Sequence, residues 1–223
     1  MVRVVIVGAD GRVAQQLMRL LYVGGDDIVG IVRNEEHADD VYRLGGEGVL
    51  LDIETATEDE LAAAFEGADV VVFSAGAGVG SGVERKRTVD YAGSVKAAVA
   101  AERAGIRRFI QVSAHGVDSP VAPDADEVWA AYVTAKRDAD AALRESSLAW
   151  TILRPGSLTS EEGTGRVTLG PDVARGSISR EDVAATIVAA IAEPRSAGHT
   201  WELVAGDVPI TQAVRDQLDA VTT

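Results

Sequence analysis

The chain of 223 residues contains no cysteine, which excludes disulfide bonds and thiolate metal sites. Aromatic residues make up only 4% of the sequence, so the core must consist mainly of Val, Ala, Leu and Ile. No apolar run approaches the roughly 18 residues that a membrane-spanning helix needs. The first residues already form a strand-like run, and no signal-peptide pattern precedes them. We therefore expect a soluble cytoplasmic protein without membrane contact and without a metal site.

Positive charge is also scarce, because the formal net charge is −14 at pH 7. Only Lys86, Lys96 and Lys136 are lysines, and the other 18 basic residues are arginine. Such a chain repels polyanions, so a nucleic acid is not an expected partner. An acidic, lysine-poor surface is typical of a high-salt cytoplasm, although a GC-rich genome produces the same bias. We expect a small-molecule substrate, and a protein that is a monomer or a small homo-oligomer.

Strand-like apolar runs alternate with helix-like segments along the first two-thirds of the chain. We predict strands at Val2–Val7, Ile28–Val32, Gly48–Leu51, Asp69–Phe73, Phe109–Val112 and Thr151–Leu153. Between them we predict a helix that begins near Val13 and further helices at Asp59–Phe65, Arg85–Ala104 and Val128–Glu145. The strands are continuously apolar, which indicates a parallel sheet buried on both faces. The repeated strand–helix order predicts an α/β fold with a doubly wound parallel sheet.

The last third of the chain is less regular. Residues 156–175 are rich in Gly, Ser and Thr, and Ser179 precedes Asp182 at the spacing of a capping box. We predict an edge strand at Thr200–Val204 and a terminal helix at Thr211–Leu218. Because no linker divides the sequence, we expect one domain over residues 1–223. Residues 156–223 are expected to contribute most of a small C-terminal lobe on the substrate side.

The turn after the first strand has almost no side chain at three points, Gly8, Gly11 and Ala14. Gly8 suits a tight turn, Gly11 lets the backbone approach a pyrophosphate, and Ala14 lets the next helix pack against the strand. The N-terminus of that helix would offer free N–H groups to the phosphates. The spacing is a variant of the dinucleotide-binding motif, which predicts a cofactor contact from Gly8, Asp10, Gly11, Arg12 and Val13. A turn that serves packing alone is the alternative.

The end of the second strand bears on the choice between NAD and NADP. An NAD-specific site has Asp or Glu there, whereas this chain has Arg33 and Asn34. A guanidinium group suits the 2′-phosphate of NADP, and Arg12 is placed to reach the same group. We therefore expect NADP rather than NAD. In the alternative interpretation, Arg33 is a surface residue paired with the glutamates that follow it.

Two later segments complete the predicted cofactor site. Asp52 and Ile53 follow the third strand, where a carboxylate can contact the adenine amino group and an apolar side chain the ring. A turn or helix-cap aspartate is the alternative for Asp52. Ser74, Ala75 and Gly76 follow the fourth strand, and small residues at that edge leave room for the cofactor.

Tyr132 and Lys136 are four residues apart and share one face of a predicted helix. The ammonium group is expected to lower the pKa of the phenol from its reference value of about 10. Such a tyrosine can pass a proton to or from a carbonyl or alcohol oxygen during hydride transfer. Ser113 ends the fifth strand at the same edge, where its hydroxyl is expected to hold the substrate oxygen. The spacing by itself is also common by chance.

These motifs, together with the segments TILRPGSLT and ISREDVA, resemble the short-chain dehydrogenase/reductase superfamily. The resemblance is greatest to its atypical branch of NAD(P)H-binding, NmrA-like and epimerase-like proteins, and it spans nearly the whole chain. It implies a Rossmann core, a bound NADP and a catalytic set at Ser113, Tyr132 and Lys136. It also implies that Pro155, Ser157 and Leu158 lie along the nicotinamide side.

The chain departs from extended members of that superfamily at Asp90, where they carry asparagine. Retention of the Ser–Tyr–Lys set favours an NADP-dependent oxidoreductase that acts on a small carbonyl or alcohol. Asp90 and the short C-terminal part leave a second interpretation open, a non-catalytic module that senses NADP(H) or assists a partner. A flavin- or pigment-type reductase, or an epimerase-like enzyme, is a further alternative.

Overall fold

The computed structural model describes residues 1–78 and 80–220, in which helices cover both faces of one large sheet. The strands are β1 Arg3–Val7, β2 Asp27–Val32, β3 Glu47–Leu50, β4 Val70–Phe73, β5 Arg108–Val112, β6 Ala149–Pro155, β7 Ser157–Thr159, β8 Arg166–Gly170, β9 Ser177–Ser179, β10 His199–Ala205 and β11 Val208–Pro209. The helices are α1 Arg12–Gly24, α2 Glu35–Arg43, α3 Glu58–Ala64, α4 Val83–Arg85, a π-helix Lys86–Gly93, α5 Ser94–Arg103, α6 Glu127–Arg144, α7 Arg180–Ala192, a 3₁₀ turn Pro194–Ser196 and α8 Ile210–Ala220.

The sheet has the order β11-β8-β10-β6-β5-β4-β1-β2-β3. Strands from β10 to β3 run parallel, whereas β8 is antiparallel to both β10 and β11. The chain winds from β1 towards β3 on one side and from β4 towards β10 on the other. The winding direction therefore reverses between β1 and β4, where ligands bind at the carboxyl ends of the strands. The predicted doubly wound α/β fold is confirmed.

Alternate residues of β1 enter two separate cores. Val4 and Ile6 pack with α1, α7 and α8, whereas Val5 and Val7 pack with α3 and α5. Because each strand contributes to both cores, its sequence is continuously apolar rather than alternating. No helix among the described residues is both long enough and apolar enough to cross a membrane.

The structure corrects the prediction for Thr200–Val204. This segment lies in β10, between β6 and β8, and is therefore an interior strand rather than an edge strand. The loose segment of residues 156–175 holds β8, which pairs along the outer side of β10 and covers it. β8 is only five residues long and has two apolar residues, Val167 and Leu169, so its apolar signal is short. The last three residues of the predicted lobe, 221–223, lie outside the described residues.

The helix predicted at Arg85–Ala104 also differs in its internal geometry. It begins at Val83, and its segment Lys86–Gly93 is a π-helix. Lys86 and Asp90 are both buried there, on the side that faces α6. Extra residues in a helical turn shift side chains around the helix axis, and such segments are frequent at functional sites.

The turn after β1 requires a glycine at position 8. Gly8 has φ +82°, a conformation that favours glycine. A Cβ on Gly8 would lie 2.5 Å from the Cα of Ala75, which is backbone of the loop after β4. The turn therefore depends on two strands meeting closely at their carboxyl ends.

The substitution Gly8→Ala tests this close approach, with Gly25→Ala as its control. Gly25 ends α1 with φ +77°, and a Cβ there would meet nothing within 4 Å. The control substitution loses only the cost of the left-handed conformation, about 1 kcal/mol in the free energy of unfolding. Gly8→Ala must also displace backbone, so we expect a loss of about 3 kcal/mol in the free energy of unfolding. Urea denaturation measures both; equal losses would mean that Ala75 does not constrain the turn.

Candidate functional site

A cleft of about 100 Å³ lies at the carboxyl ends of β1 to β4, where the strand order reverses. Most of the cofactor residues predicted from the sequence line it, namely Gly8, Asp10, Gly11, Arg33, Asp52, Ile53, Ser74, Ala75 and Gly76.

The N-terminus of α1 opens onto this cleft without a protein cap. Side chains cap α2, α3, α6 and α7, through Asn34, Thr57, Asp126 and Ser179. At α1 the N-cap residue is Gly11, no side chain caps the first turn, and that turn has no acidic residue. The N–H groups and positive dipole end of α1 are therefore free to bind an anion.

Gly11 forms the floor of the cleft next to this helix end. A Cβ there would lie 3.1 Å from the carbonyl oxygen of Gly8 and 3.7 Å from that of Ser74. Its backbone has φ −66°, so the glycine is needed for space rather than for an unusual conformation. A bare backbone beside an uncapped helix start fits the pyrophosphate of a dinucleotide.

Arg33 lies on the cleft and is exposed. The charge of Arg33 lowers the pKa of Glu54. Glu54, however, already accepts hydrogen bonds from Arg85 at 2.7 Å and from Thr88 at 2.6 Å. Those two bonds are the first causes of the lowered pKa of Glu54, and Arg33 is the last. Among the described residues, Arg33 has no ion-pair partner within 4 Å. The alternative interpretation, in which Arg33 is a surface residue paired with the glutamates that follow it, is therefore not supported by the structure.

Arg85 lines the same cleft and was not identified from the sequence. It lies at the end of α4, and Glu54 holds its guanidinium group through both Nε and Nη2. Its only sequence signal is its place at the start of a helix after a strand-end glycine loop. Arg85 and Arg33 thus line the same cleft.

Two predicted cofactor residues also have structural roles. The side-chain oxygen of Asn34 accepts a hydrogen bond from the N–H of His37 at 3.0 Å and caps α2. Oδ1 of Asp52 accepts from the N–H of Glu54 at 2.9 Å, which is the turn geometry of the alternative interpretation. Asp52 still lines the cleft, so the turn presents its carboxylate rather than hiding it.

A second group of residues lies on the inner face of α6. Tyr132, Lys136 and Asp140 follow at four-residue spacing and share that face. Lys136 is buried, and its Nζ donates to the carbonyl oxygen of Val112, the residue before Ser113, at 3.2 Å. The structure thus brings Ser113 and Lys136 together at the end of β5.

Two carboxylates keep the ammonium group of Lys136 charged. Burial alone lowers the pKa of Lys136, but Asp90, Tyr132 and Asp140 raise it above its ordinary value. Oδ1 of Asp90 lies 3.4 Å from Nζ, and Oδ2 accepts from the N–H of Ala77 at 3.1 Å. Asp90 therefore ties Lys136 to the loop after β4.

The expected lowering of the pKa of Tyr132 is wrong for this site. Burial raises its pKa, and the charges of Asp90 and Asp140 raise it further, against the opposite effect of Lys136. The phenol is consequently protonated at neutral pH, as a proton donor must be. Lys86 lies over its ring, with Nζ 5.3 Å from the ring centroid, and donates to the carbonyl oxygen of Gly78 at 3.0 Å.

Ser113 is buried and makes a hydrogen bond that the sequence did not indicate. Its Oγ lies 2.9 Å from Oδ2 of Asp140, which Arg154 Nε also contacts at 2.8 Å. Oδ1 of Asp140 accepts from Gln111 Nε2 at 2.6 Å. Arg154 extends the network to Asp118 through a bond of 2.6 Å. The spacing of Asp140 from Lys136 was the available signal.

The remaining predicted residues lie away from the cleft lining. Arg12 begins α1 and its side chain is exposed, whereas the side chain of Val13 is in the core, so Val13 can face phosphates only through its backbone. Pro155 ends β6, and its carbonyl oxygen accepts from the N–H of His115 at 3.0 Å. Ser157 and Leu158 are exposed in β7, which pairs with β9.

Comparison with known proteins agrees with this geometry. The family model described as NAD(P)H-binding matches residues 8–194. The Bacillus subtilis protein named uncharacterized sugar epimerase YhfK is 39% identical over 214 residues, which cover 96% of this chain and 99% of that one.

Two solved structures share this fold and are also similar to the chain in sequence. One, from Bacillus halodurans, is assigned provisionally by name to NAD-dependent epimerases/dehydratases. It is 37% identical with a TM-score of 0.89, over 97% of this chain and 100% of that chain. The oxidoreductase ylbE from Lactococcus lactis is 29% identical with a TM-score of 0.84, over 97% of each chain. The chain belongs to the NAD(P)H-binding family, on a Rossmann-type fold.

Proposed function

We propose that this protein is an NADP-dependent oxidoreductase that reduces a small carbonyl compound, with Tyr132 as the proton donor. The observation that carries this proposal is a partly buried phenol on the same face of α6 as the buried Lys136, whose Nζ reaches the carboxyl end of β5; burial raises the pKa of that phenol, which keeps it protonated at neutral pH. The cleft and the uncapped start of α1 support a dinucleotide there.

The choice of NADP rests on the free charge of Arg33. A ribose 2′-phosphate needs a cation that no carboxylate has already taken. Arg33 meets that condition because Glu54 is occupied by Arg85 and Thr88. Arg12 adds positive charge at the start of α1. Its charge also acts on Arg180: burial is the larger cause of the lowered pKa of Arg180, and the charge of Arg12 is the smaller one.

The proposed chemistry follows from the residues on α6. When bound, NADPH supplies a hydride to the carbonyl carbon. The electron pair of the C=O bond moves to oxygen, and Tyr132 donates its proton to that oxygen. Lys136 then stabilises the phenolate, since its charge is the one effect that lowers the pKa of Tyr132. Lys136 is also proposed to hold the nicotinamide ribose, and residues 156–220 are proposed to form the substrate side.

The affinity for the two cofactors tests the role of Arg33. We expect NADPH to bind at least tenfold more tightly than NADH, about 1.4 kcal/mol, in fluorescence titrations. Arg33→Ala should remove that preference by weakening NADPH binding alone. Arg43→Ala is the control, because Arg43 is an exposed arginine of α2 paired with Asp40. Equal affinities in the parent, or a preference unchanged in Arg33→Ala, would contradict the assignment.

The substitution Tyr132→Phe tests the proton donor. Carbonyl, quinone and flavin acceptors are screened with NADPH, and the variant is assayed on an acceptor that the parent reduces. We expect turnover to fall roughly 10²–10⁴-fold, the usual effect of losing a positioned acid, with NADPH affinity retained. Tyr91→Phe, in the π-helix and partly exposed, is the matched control.

Two results would replace the proposal. A Tyr132→Phe variant as fast as the parent would leave hydride transfer without acid catalysis, as expected of a flavin-type reductase. Failure of every acceptor to oxidise bound NADPH would favour the redox-sensor interpretation.

A further inference from the structure

Asp140 is the centre of a buried polar network that the proposed reaction does not use directly. Its side chain is fully buried. It contacts three donors, Gln111 and Ser113 from the end of β5 and Arg154 from β6. The charged groups around it are Lys136 on its own helix, Arg154 across the sheet, Asp118 beyond Arg154 and Asp90 beyond Lys136.

The neighbours of Asp140 decide the direction of its bond to Ser113. A guanidinium group only donates, and the amide nitrogen of Gln111 only donates. The other end of that amide, Oε1, is already held by the hydroxyl of Ser94. An ionised Asp140 accepts from both neighbours, and its remaining contact, Ser113, must then donate as well. The pKa of Asp140 is raised above its ordinary value, because burial raises it by more than Arg154, Ser113 and Gln111 together lower it; the case for the ionised form therefore rests on the three donors that converge on the carboxyl group.

A hydroxyl group has one hydrogen and two lone pairs. Once Ser113 has given its hydrogen to Asp140, only its lone pairs remain for a ligand. A carbonyl oxygen, which has no hydrogen, gains nothing from such a serine. A hydroxyl group, which has one, gains a hydrogen bond.

We propose that Asp140 is a positioning residue that makes Ser113 a hydrogen-bond acceptor, so that Ser113 binds the hydroxyl form of the substrate and Tyr132 alone contacts the carbonyl form. This inference rests on the proposed function and names the substrate class more closely, a carbonyl compound whose alcohol product is the better ligand. It reverses the expected role of Ser113 as a donor to the substrate oxygen.

The substitution Asp140→Asn reverses the direction of this bond. The asparagine oxygen still accepts from Gln111, and its amide nitrogen donates to Ser113. That nitrogen cannot accept from Nε of Arg154, which loses this bond and keeps its bonds to Asp118. For an acceptor that the parent reduces, two constants are measured: the KM of the carbonyl compound and the inhibition constant of its alcohol product. Both Asp140→Asn and Ser113→Ala should weaken alcohol inhibition by about fivefold to tenfold, the effect of one hydrogen bond, and leave the carbonyl KM unchanged.

A purely structural role would weaken both ligands together, and that result would overturn the proposal. So would a carbonyl KM that rises in Ser113→Ala while alcohol inhibition stays constant, because Ser113 would then be a donor. The double variant should be no weaker than either single variant, since both remove the same bond. If the two losses of alcohol affinity multiply in the double variant, Asp140 acts independently of Ser113, and the proposal is overturned.

A second measurement reports the charge of Asp140 at the alkaline pH where Tyr132 titrates, without any substrate. The titration of Tyr132 is isolated as the ultraviolet difference between each protein and its Tyr132→Phe form. A charged Asp140 raises the pKa of Tyr132, so Asp140→Asn should shift that titration to lower pH. Asp118→Asn is the control, because Asp118 is not among the charges that act on Tyr132. An unchanged titration in Asp140→Asn would mean an uncharged carboxyl group and would overturn the proposal.

The titration of Tyr132 tests the inference separately from the proposed function, because it needs no substrate and a failed acceptor screen does not affect it. If Asp140→Asn does not fold, ¹³C-aspartate labelling of the parent replaces it, with Ser113→Ala identifying the carboxyl resonance of Asp140. A carboxylate resonance at neutral pH supports the assignment of Ser113 as an acceptor, and a carboxylic acid resonance overturns it.

Discussion

A parallel sheet covered on both faces leaves its carboxyl edge as the place where a ligand can meet several strands at once. In this chain that edge is crowded at one point, where Gly8 after β1 touches Ala75 after β4. The winding direction reverses between these two strands, so the loops part and leave a cleft beside the contact. The cofactor site depends on that geometry, because the uncapped start of α1 follows directly from the Gly8 turn.

The second constraint is the burial of charge beneath the same edge. Lys136 is almost wholly buried and stays charged because carboxylates lie on two sides of it. Removing one member of such a group leaves an uncompensated charge, which is strongly destabilising. Asp90 and Asp140 therefore join α6 to the π-helix and to β5, and this attachment fixes Tyr132 and Ser113. The residues that hold the site in place are the residues that set its proton chemistry.

The sequence indicated the fold where physical signals were local. Apolar runs marked β1 to β6, and small residues at three-residue spacing marked the turn at Gly8. It did not reveal β8, whose pairing with β10 comes from a distant part of the chain, nor the π-helix, which leaves no apolar period. The pKa of Tyr132 was assigned the wrong direction because the spacing to Lys136 is visible in a sequence and burial is not. Asp140 was overlooked for the same reason, since its partners come from other strands.

The names of similar proteins divide between epimerase and oxidoreductase, and the two chemistries leave different traces. An epimerase returns its cofactor unchanged, whereas a reductase consumes it. The most direct test is the fate of deuterium from NADPH labelled on one face of C4, after reaction with an acceptor that the protein reduces. A reductase built on Tyr132 predicts deuterium at the new carbinol carbon, from one face only, with one NADP⁺ formed for each product. Recovery of all label in the cofactor, with substrate inverted and no net NADP⁺, would contradict it.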